Sequence, residues 1–157
     1  MDFRIERIKQ MLLLLQRAKF LDRQPLTGWR FCACGYKQDN TMPDCASDSF
    51  RPFGENECWG REQDTHAWFC KHICVPENWT GGDVRFSIHT GAEGEYDPLC
   101  AQFIAYVDGE LYQGMDGNHT ELYLEDRKEL DLALYAYSGM NADAYTFHAV
   151  RLLPQRM

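Results

Sequence analysis

Cysteine and histidine are the residues of this chain whose types would permit metal binding or nucleophilic catalysis. Cys32 and Cys34 are two residues apart, and Cys70, His72 and Cys74 have the same spacing. On a β-strand, the side chains of each group would therefore lie on the same face. Structural zinc sites usually contain a tight Cys-x-x-Cys pair, which the sequence lacks. Side chains two residues apart on a strand are also too far apart to bind one metal ion easily in tetrahedral geometry. We therefore expect both groups to pack rather than to bind metal, with His72 as a core or boundary residue.

The other catalytic signatures are missing as well. The sequence has no Gly-x-Ser-x-Gly elbow, no cysteine-protease signature and no Gly-rich phosphate loop. Two carboxylates flanking one bond would serve glycoside hydrolysis. With 24 acidic residues, however, nothing singles out a pair. The acidic loops also lack the spaced pattern of a calcium-binding loop. We predict no catalytic residue and no metal ligand in this chain.

Tryptophan is the residue type that points to binding, because exposed indole rings stack on the apolar faces of sugars. The chain has four: Trp29, Trp59, Trp68 and Trp79. Trp68 lies within an apolar strand and is expected in the core. Trp79, three residues after Pro76, is expected to be partly exposed at a turn. With Asp108 and Glu110, which lie at a hairpin edge, Trp79 is a candidate substrate-binding residue. The alternative is that the tryptophans form the core of a sandwich.

A helix is predicted for residues 2 to about 21. Apolar residues recur there at steps of three and four, a helical period: Ile5, Ile8, Met11, Leu12, Leu15 and Ala18. Leu13 and Leu14 widen the apolar stripe beyond what a small sheet would cover. The helix either packs on its own domain or also packs on a surface that this chain lacks. Residues 1–24 are assigned to this helix and a linker.

From Trp29 onward the pattern changes to short alternating runs separated by turn residues, which favours a β-sandwich over residues 25–157. The predicted strands are 29–36, 58–60, 66–75, 84–89, 101–107, 110–112, 120–124, 131–137 and 146–153. Asp108-Gly109 between apolar strands predicts a two-residue type I′ hairpin. Residues 37–57 and 90–98 are predicted as long loops, and 116–118 as a second turn. The fold class is mainly β, with one N-terminal helix.

Charge is distributed unevenly along the chain. Residues 1–40 carry eight basic and four acidic side chains, while the rest carries eight basic and twenty acidic ones. An acidic surface repels phosphate backbones and anionic lipids, so we expect neither nucleic acid nor membrane as a partner. The apolar run 11–15 is shorter than a signal-peptide core. We therefore expect a cytoplasmic protein whose seven cysteines are free thiols.

An ordered set of short motifs resembles one known family. The motifs are Glu57-Cys58-Trp59-Gly60, Ala67-Trp68-Phe69, the stretch from Ile73 to Val84 with Pro76-Glu77-Asn78-Trp79-Thr80-Gly81-Gly82, Gly94-Glu95, the stretch from Ala105 to Asp116, Asn118-His119-Thr120-Glu121, and Tyr135-Ala136-Tyr137-Ser138-Gly139. Together they resemble the amino-terminal β-sandwich of family 38 α-mannosidases of the cytosolic or bacterial kind. The resemblance implies a jelly-roll-like, galactose-binding-like fold.

The resemblance also implies where the chemistry of a parent enzyme would lie. In that family zinc and the nucleophilic aspartate belong to a separate catalytic domain, and no residue here matches either motif. A retaining, zinc-dependent α-mannosidase is implied for the parent, with this piece as a non-catalytic domain that aids assembly and shapes the active site. The expected partner is the missing catalytic domain, with a homo-oligomer and a mannoside as further possibilities. The alternatives are a free-standing carbohydrate-binding module and an independent small hydrolase.

Overall fold

The chain begins with one helix followed by strands. A computed structural model describes residues 3–18, 22–36, 39, 41–55, 57–79, 83–90, 101–125, 127–140, 145–146 and 151–155. Helix α1 spans Phe3–Ala18 and consists mainly of residues with good helix propensity, with Glu6 and Lys9 paired on its surface at 3.2 Å. A short 3-10 helix, Glu77–Trp79, interrupts the strands.

Twelve strands lie within the described residues. They are β1 (Gln24–Pro25), β2 (Arg30–Cys34), β3 (Arg51–Pro52), β4 (Cys58–Trp59), β5 (His66–Cys74), β6 (Asp83–Ser87), β7 (Gln102–Val107), β8 (Glu110–Met115), β9 (Glu121–Tyr123), β10 (Glu129–Tyr137), β11 (Tyr145–Thr146) and β12 (Arg151–Gln155). Each of the nine predicted strands overlaps one or two of these.

The strands form antiparallel sheets. One sheet has six strands in the order β3-β2-β5-β10-β7-β8, a second has four in the order β1-β12-β6-β9, and β11 pairs with β4. The two longest strands, β5 and β10, lie side by side in the six-stranded sheet, with Cys74 opposite Glu129 and His66 opposite Tyr137. The register matters because it decides which side chains stand together on each face.

The main core lies between the six-stranded and four-stranded sheets. Alternate residues of β5 and β10 point into it, among them Phe69 and Leu134, and the four-stranded sheet contributes Phe86. All three side chains are fully buried. Removing side chains of this size from water stabilises the fold by roughly 1.5–3 kcal/mol each. This confirms the predicted mainly β sandwich with one N-terminal helix.

The opposite face of the six-stranded sheet, here called the outer face, carries a second apolar cluster. Its buried members are Phe50, Trp68, Cys70, Tyr106, Ala133 and Tyr135. The loop 41–50 lies over this cluster, and the Arg30 guanidinium donates to the carbonyls of Ser47 (3.0 Å) and Phe50 (2.8 Å). Trp68 is buried as predicted, but beneath this loop rather than between the sheets.

A disulfide joins the loop to the sheet, which corrects the expectation of seven free thiols. Cys45 in the loop is bonded to Cys70 in β5, with their Cα atoms 5.9 Å apart. Loop 41–50 folds back onto the sheet, and the sequence spacing does not reveal that contact. Free thiols are confirmed for Cys32, Cys34, Cys58 and Cys74, while Cys100 lies outside the described residues. The cytoplasmic location, which was inferred from the short apolar run 11–15, stays a prediction.

Helix α1 exposes its apolar side chains. Leu12, Leu14 and Leu15 are each more than half exposed, and Phe3 is 90% exposed. Of the two interpretations of the apolar stripe, the structure favours the one in which the helix packs on a surface that the described residues lack. Within the described part of the chain, no helix is long and apolar enough to cross a membrane.

Both predicted tight turns, at 108–109 and at 116–118, are present in the structure. Asp108 and Gly109 both have positive φ (52° and 90°), as the type I′ hairpin requires. The turn at 116–118 is present, with the Asp116 carboxylate accepting from the backbone N–H of Asn118. The predicted loop 90–98 lies almost wholly outside the described residues, as do the ends of the predicted helix 2–21. The boundary between residues 24 and 25 stays a prediction.

Candidate functional site

A cleft of about 670 Å³ opens on the outer face, at the end of the sheet where β5 begins and β10 ends. We call it the outer-face cleft. It is lined by Tyr36, Asp64, His66, Gln102, Phe103, Ile104, Gly114, Met115, Asp116, His119, Tyr135 and Tyr137. The strand ends bring these residues together because β5, β10, β7 and β8 are consecutive neighbours in the sheet. Its size falls within the range usual for small-molecule sites, roughly 300–1,000 Å³.

Aromatic rings make the wall of the outer-face cleft. The His66 imidazole stacks on Tyr137 with ring centres 4.8 Å apart and on Tyr135 at 5.6 Å. Tyr36 meets the same imidazole edge-on at 5.9 Å and is itself 74% exposed. Because His66 lies nearly parallel to Tyr137 and nearly perpendicular to Tyr36, the two tyrosines stand roughly at right angles. The cleft therefore offers apolar ring surface in two orientations.

His66 is fixed through both of its ring nitrogens. Its Nδ1 lies 2.8 Å from the Tyr135 hydroxyl, and its Nε2 lies 3.5 Å from a carboxylate oxygen of Asp64. A neutral imidazole has one donor and one acceptor nitrogen. The arrangement fits a tautomer in which Tyr135 donates to Nδ1 and the Nε2 proton faces Asp64. The His66 side chain is only 9% exposed, so this ring supports the wall rather than projecting from it.

The turn that carries Asp64 is anchored to the end of β10. Asp64 has a positive φ of 56°, and its backbone N–H donates to the carbonyl of Gly139 at 2.9 Å. The buried Ser138 hydroxyl accepts from the backbone N–H of Thr65 (3.0 Å) and from the Thr65 hydroxyl (2.8 Å). It also donates to the carbonyl of Glu62 at 3.2 Å. Ser138 thus positions the carboxylate at one side of the outer-face cleft.

A second carboxylate is held where β8 ends. The Oδ1 atom of Asp116 accepts from the backbone N–H groups of Asn118 and His119, each at 2.8 Å, and lies 3.0 Å from Nδ1 of His119. These hydrogen bonds, led by the one from Asn118, lower the pKa of Asp116 below its usual value. Asp116 is therefore a fixed negative charge at neutral pH.

Such a cleft is suited to binding a small polar molecule that has an apolar face. Exposed tyrosine rings stack on apolar ring faces, and carboxylates and imidazoles exchange hydrogen bonds with hydroxyl groups. Sugars have both features. The stacking surface of the outer-face cleft is formed by tyrosines rather than by the predicted tryptophans.

The prediction that Trp79 is partly exposed is wrong. In the 3-10 helix Glu77–Trp79 the backbone N–H of Trp79 donates to the Pro76 carbonyl at 2.9 Å, and the indole is turned inward. Trp79 is 7% exposed and belongs to the core between the sheets. The turn was recognised in the sequence, but the direction of the side chain depends on the sheet packed beneath it.

Asp108 and Glu110 lie at the other end of the sheet from the outer-face cleft, and neither lines it. Asp108 accepts from the backbone N–H of Asp131 at 2.9 Å and forms an ion pair with Arg127. Its carboxylate therefore holds the hairpin against the start of β10. Glu110 is an exposed residue at the first position of β8.

The residues that line the outer-face cleft were not predicted from the sequence. Tyr36, His66, Tyr135 and Tyr137 come from three separate segments of the chain. The detectable signal was the alternation Tyr135-Ala136-Tyr137, which places two rings on one face of a strand. Without the register of β5 against β10, nothing in the sequence placed His66 beside them.

A group of potential metal ligands lies at the opposite end of the same strands. One ligand atom each from His72, Cys74 and Glu129 all lie within 4.8 Å of one another, and all three residues are exposed. The expectation that His72 and Cys74 pack into the fold is therefore wrong. Glu129, on the neighbouring strand, completes the group with His72 and Cys74. Cys70 is not part of it, since it is in the disulfide.

One protein-family model matches most of the chain. It is described as alpha-mannosidase, jelly roll domain, and it matches residues 27–149. No curated protein sequence matches the chain.

Solved structures with the same fold include two bacterial enzymes. β-Glucuronidase 2 of Bacteroides uniformis, covalently bound to cyclophellitol-6-carboxylate aziridine, has a TM-score of 0.59 at 13% identity, over 85% of this chain and 18% of that chain. The β-glucuronidase of Ruminococcus gnavus, in complex with N1-substituted uronic isofagomine, has a TM-score of 0.53 at 9% identity, over 87% of this chain and 30% of that chain. The chain spans less than a third of either enzyme. At these identities the likeness concerns the fold alone.

Proposed function

Because this chain belongs to the alpha-mannosidase jelly roll domain family, we propose that it acts as a non-catalytic accessory domain of an α-mannosidase that hydrolyses terminal α-mannosides. The observation that carries the proposal is the family match over residues 27–149. The zinc ion and the nucleophile implied by the resemblance belong, in this proposal, to a catalytic domain in other polypeptide. His72, Cys74 and Glu129 are not assigned that role, because the resemblance places the catalytic zinc and the nucleophile in a separate domain.

The assembly role is supported by the exposed apolar helix. The consecutive side chains Met11, Leu12, Leu13, Leu14 and Leu15 are each about half exposed or more. An apolar surface of this kind marks an interaction site in a folded protein. We assign it to the catalytic domain of the same enzyme, and membership of the α-mannosidase jelly roll domain family supports this assignment. Burial of each leucine would contribute roughly 1.5–3 kcal/mol to the contact.

The complete enzyme provides the test of that contact. We expect the double substitution Leu12→Asp and Leu15→Asp to lower the temperature at which mannosidase activity is lost, because two charges would enter an apolar interface. Gln10→Asp, an exposed polar position on the same helix, is the control. Equal thermal inactivation of the double variant and the control would contradict the assembly role.

The non-catalytic role has a test of its own. The isolated chain should not hydrolyse an aryl α-mannoside, since the proposal assigns the nucleophile and zinc to other polypeptide. Turnover that copurifies with the chain and survives metal chelation would refute this part of the proposal.

A sugar-binding role is the second candidate, and the outer-face cleft is the observation that favours it. Its exposed Tyr36 and its ring pair Tyr137–His66 would stack on a mannoside, with Asp64 and Asp116 accepting hydrogen bonds from hydroxyl groups. A shallow open site of this kind should bind weakly, with Kd of about 1 mM, or roughly −4 kcal/mol.

Calorimetric titration with methyl α-mannoside tests the second candidate. Tryptophan fluorescence is unsuitable, because no tryptophan lines the cleft. We expect Tyr36→Ala and Tyr137→Ala to weaken binding at least about tenfold, in line with loss of one stacking contact. Tyr123→Ala, on the other sheet, is the matched control. Absence of heat up to ~10 mM sugar would remove this candidate.

A further inference from the structure

Four side chains with metal-binding atoms meet where β5 ends and β10 begins. In the strand register Cys74 lies opposite Glu129, and His72 lies opposite Asp131. All four point to the outer face, because they alternate with the core residues Ile73 and Leu130. The group is solvent-accessible, with the His72 side chain 54% exposed. The outer-face cleft begins at His66, which is six residues before His72 and about 20 Å away along the strand.

We propose that His72, Cys74 and Glu129 form a zinc-type divalent-metal site that is distinct from any catalytic zinc of the parent enzyme. The ligands would be His72 Nε2, the Cys74 thiolate and the Glu129 carboxylate. Nε2 of His72 already lies 3.9 Å from Oε2 of Glu129, and the three ligand atoms lie within 4.8 Å of one another. Ligands of a tetrahedral zinc ion are about 3.4–3.8 Å apart, given bond lengths of about 2.0–2.3 Å. Small side-chain rotations would therefore close the site.

The imidazole is already oriented for ligation. Nδ1 of His72 lies 2.8 Å from Oδ1 of Asp131, which fits an Nδ1–H donating to the carboxylate and leaves Nε2 as the acceptor nitrogen. Metal-bound histidines commonly donate their second nitrogen to a carboxylate in this way. Asp131 is a positioning residue in this proposal, because it acts on the metal through His72.

The positioning residue is itself held in place. The backbone N–H of Asp131 donates to the Asp108 carboxylate, and the Asp108 N–H donates to the carbonyl of Asp131, each at 2.9 Å. Arg127 pairs with the same Asp108 carboxylate. The two strand ends are joined beyond the ligands by the Val75 N–H, which donates to the carbonyl of Lys128 at 2.8 Å. The ligands thus stand on a fixed backbone.

The ligand types select the metal. One nitrogen, one thiolate and one carboxylate suit zinc, while calcium and magnesium prefer oxygen ligands alone. A thiolate and a carboxylate together neutralise the two positive charges of the ion. Three protein ligands leave a fourth position for water. A metal bound there would link β5 to β10 at the end of the sheet.

Cobalt titration of the intact, metal-stripped chain with Cys74 reduced tests the proposal. Co²⁺ should bind in one equivalent and develop both tetrahedral d–d bands and a thiolate-to-cobalt charge-transfer band, and Zn²⁺ should displace it. Cys74→Ser should abolish the charge-transfer band. Glu129→Gln and His72→Ala should each weaken binding by at least about 100-fold, and Asp131→Asn by about 10–100-fold.

The controls use the same residue types elsewhere. Cys58→Ser removes another free cysteine, and Glu125→Gln removes another exposed carboxylate, so both should leave cobalt binding unchanged. All substituted ligands are exposed, and unchanged tryptophan emission will show that the variants fold. Cobalt binding that persists in Cys74→Ser at wild-type affinity would overturn the proposal. Binding that saturates only at millimolar metal would overturn it equally, because that is the behaviour of scattered surface carboxylates.

Discussion

Ser138→Ala is the substitution that most directly tests how the fold holds the outer-face cleft. The Ser138 side chain is almost fully buried (1% exposed), a rare position for a serine hydroxyl. Its hydroxyl joins the end of β10 to the turn at Glu62–Thr65, which carries Asp64 and leads into His66. Alanine removes the hydroxyl and leaves the backbone of β10 unchanged.

The size of the effect follows from the bonds that are lost. The hydroxyl accepts from the Thr65 N–H and from the Thr65 hydroxyl, and it donates to the Glu62 carbonyl. Each such bond contributes about 0.5–1.5 kcal/mol net. The backbone bonds Ser138 N–H to Thr65 O (3.0 Å) and Asp64 N–H to Gly139 O (2.9 Å) remain. Since Glu62 is exposed, water can replace one lost partner. We expect a loss of about 2 kcal/mol.

Urea denaturation followed by tryptophan fluorescence measures this loss, because all four tryptophans are buried in the fold. The midpoint should fall while the m-value stays constant, since the surface exposed on unfolding does not change. Ser49→Ala removes an exposed hydroxyl that lies 2.6 Å from the Ser47 hydroxyl, and it should cost less than about 0.5 kcal/mol. If Ser138→Ala costs no more than Ser49→Ala, the assigned role of this hydroxyl is wrong.

Three other substitutions test separate parts of the description. Trp79→Ala should lower the free energy of unfolding, measured in urea, by about 3–5 kcal/mol, because the indole is buried in the core. A loss below about 1 kcal/mol would instead support the prediction that Trp79 is partly exposed. Replacing Cys45 and Cys70 together by serine opens a loop with a sequence separation of 25 and should cost about 3 kcal/mol, measured the same way, with reduction of the wild type having an equal effect. Arg51 donates to Glu57 at 2.9 Å, and this hydrogen bond lowers the pKa of Glu57 below its ordinary value of 4.5. Glu57→Gln should therefore cost about 0.5 kcal/mol at pH 7. A depressed carboxyl pKa contributes its full stabilisation above the unfolded pKa, and this is lost as the pH falls through the folded pKa. The difference between Glu57→Gln and the wild type should therefore vanish below the pKa of folded Glu57, and a difference that persists at pH 2 would contradict the assignment.

Local patterns in the sequence were enough to predict most of the secondary structure. The alternation of apolar and polar residues gave all nine predicted strands, and Asp108-Gly109 gave the hairpin, since both signals act over a few residues. The family resemblance gave the jelly-roll sandwich, which the family model at 27–149 confirms. The strands and the hairpin follow from local sequence, whereas the jelly-roll arrangement of the strands came only from the family resemblance.

The candidate sites could not be predicted in the same way because they depend on strand register and on a loop crossing. The outer-face cleft needs His66 opposite Tyr137, and the proposed metal site needs Cys74 opposite Glu129. Loop 41–50 was predicted only as a loop, yet it covers Trp68 and places Cys45 on Cys70. Contacts over such sequence distances leave no periodic signal, so the disulfide was not predicted and both cysteines were wrongly expected to be free thiols.

The register of β5 against β10 also explains why two sites of different chemistry stand on one face. The inward positions of β10 are all apolar core residues, and those of β5 are apolar except at Lys71. The alternate, outward positions are therefore free to differ along the strands. At one end His66 and Tyr137 give stacked rings, and in the middle Trp68 and Tyr135 lie under a loop. At the other end Cys74 lies opposite Glu129, and both belong to the proposed metal site. A shift of the register by two residues would keep the core faces matched but would separate each of these pairs. The inward positions of β5 and β10 therefore determine the fold, while the candidate functions depend on their outward positions and on a register that the apolar alternation alone does not specify.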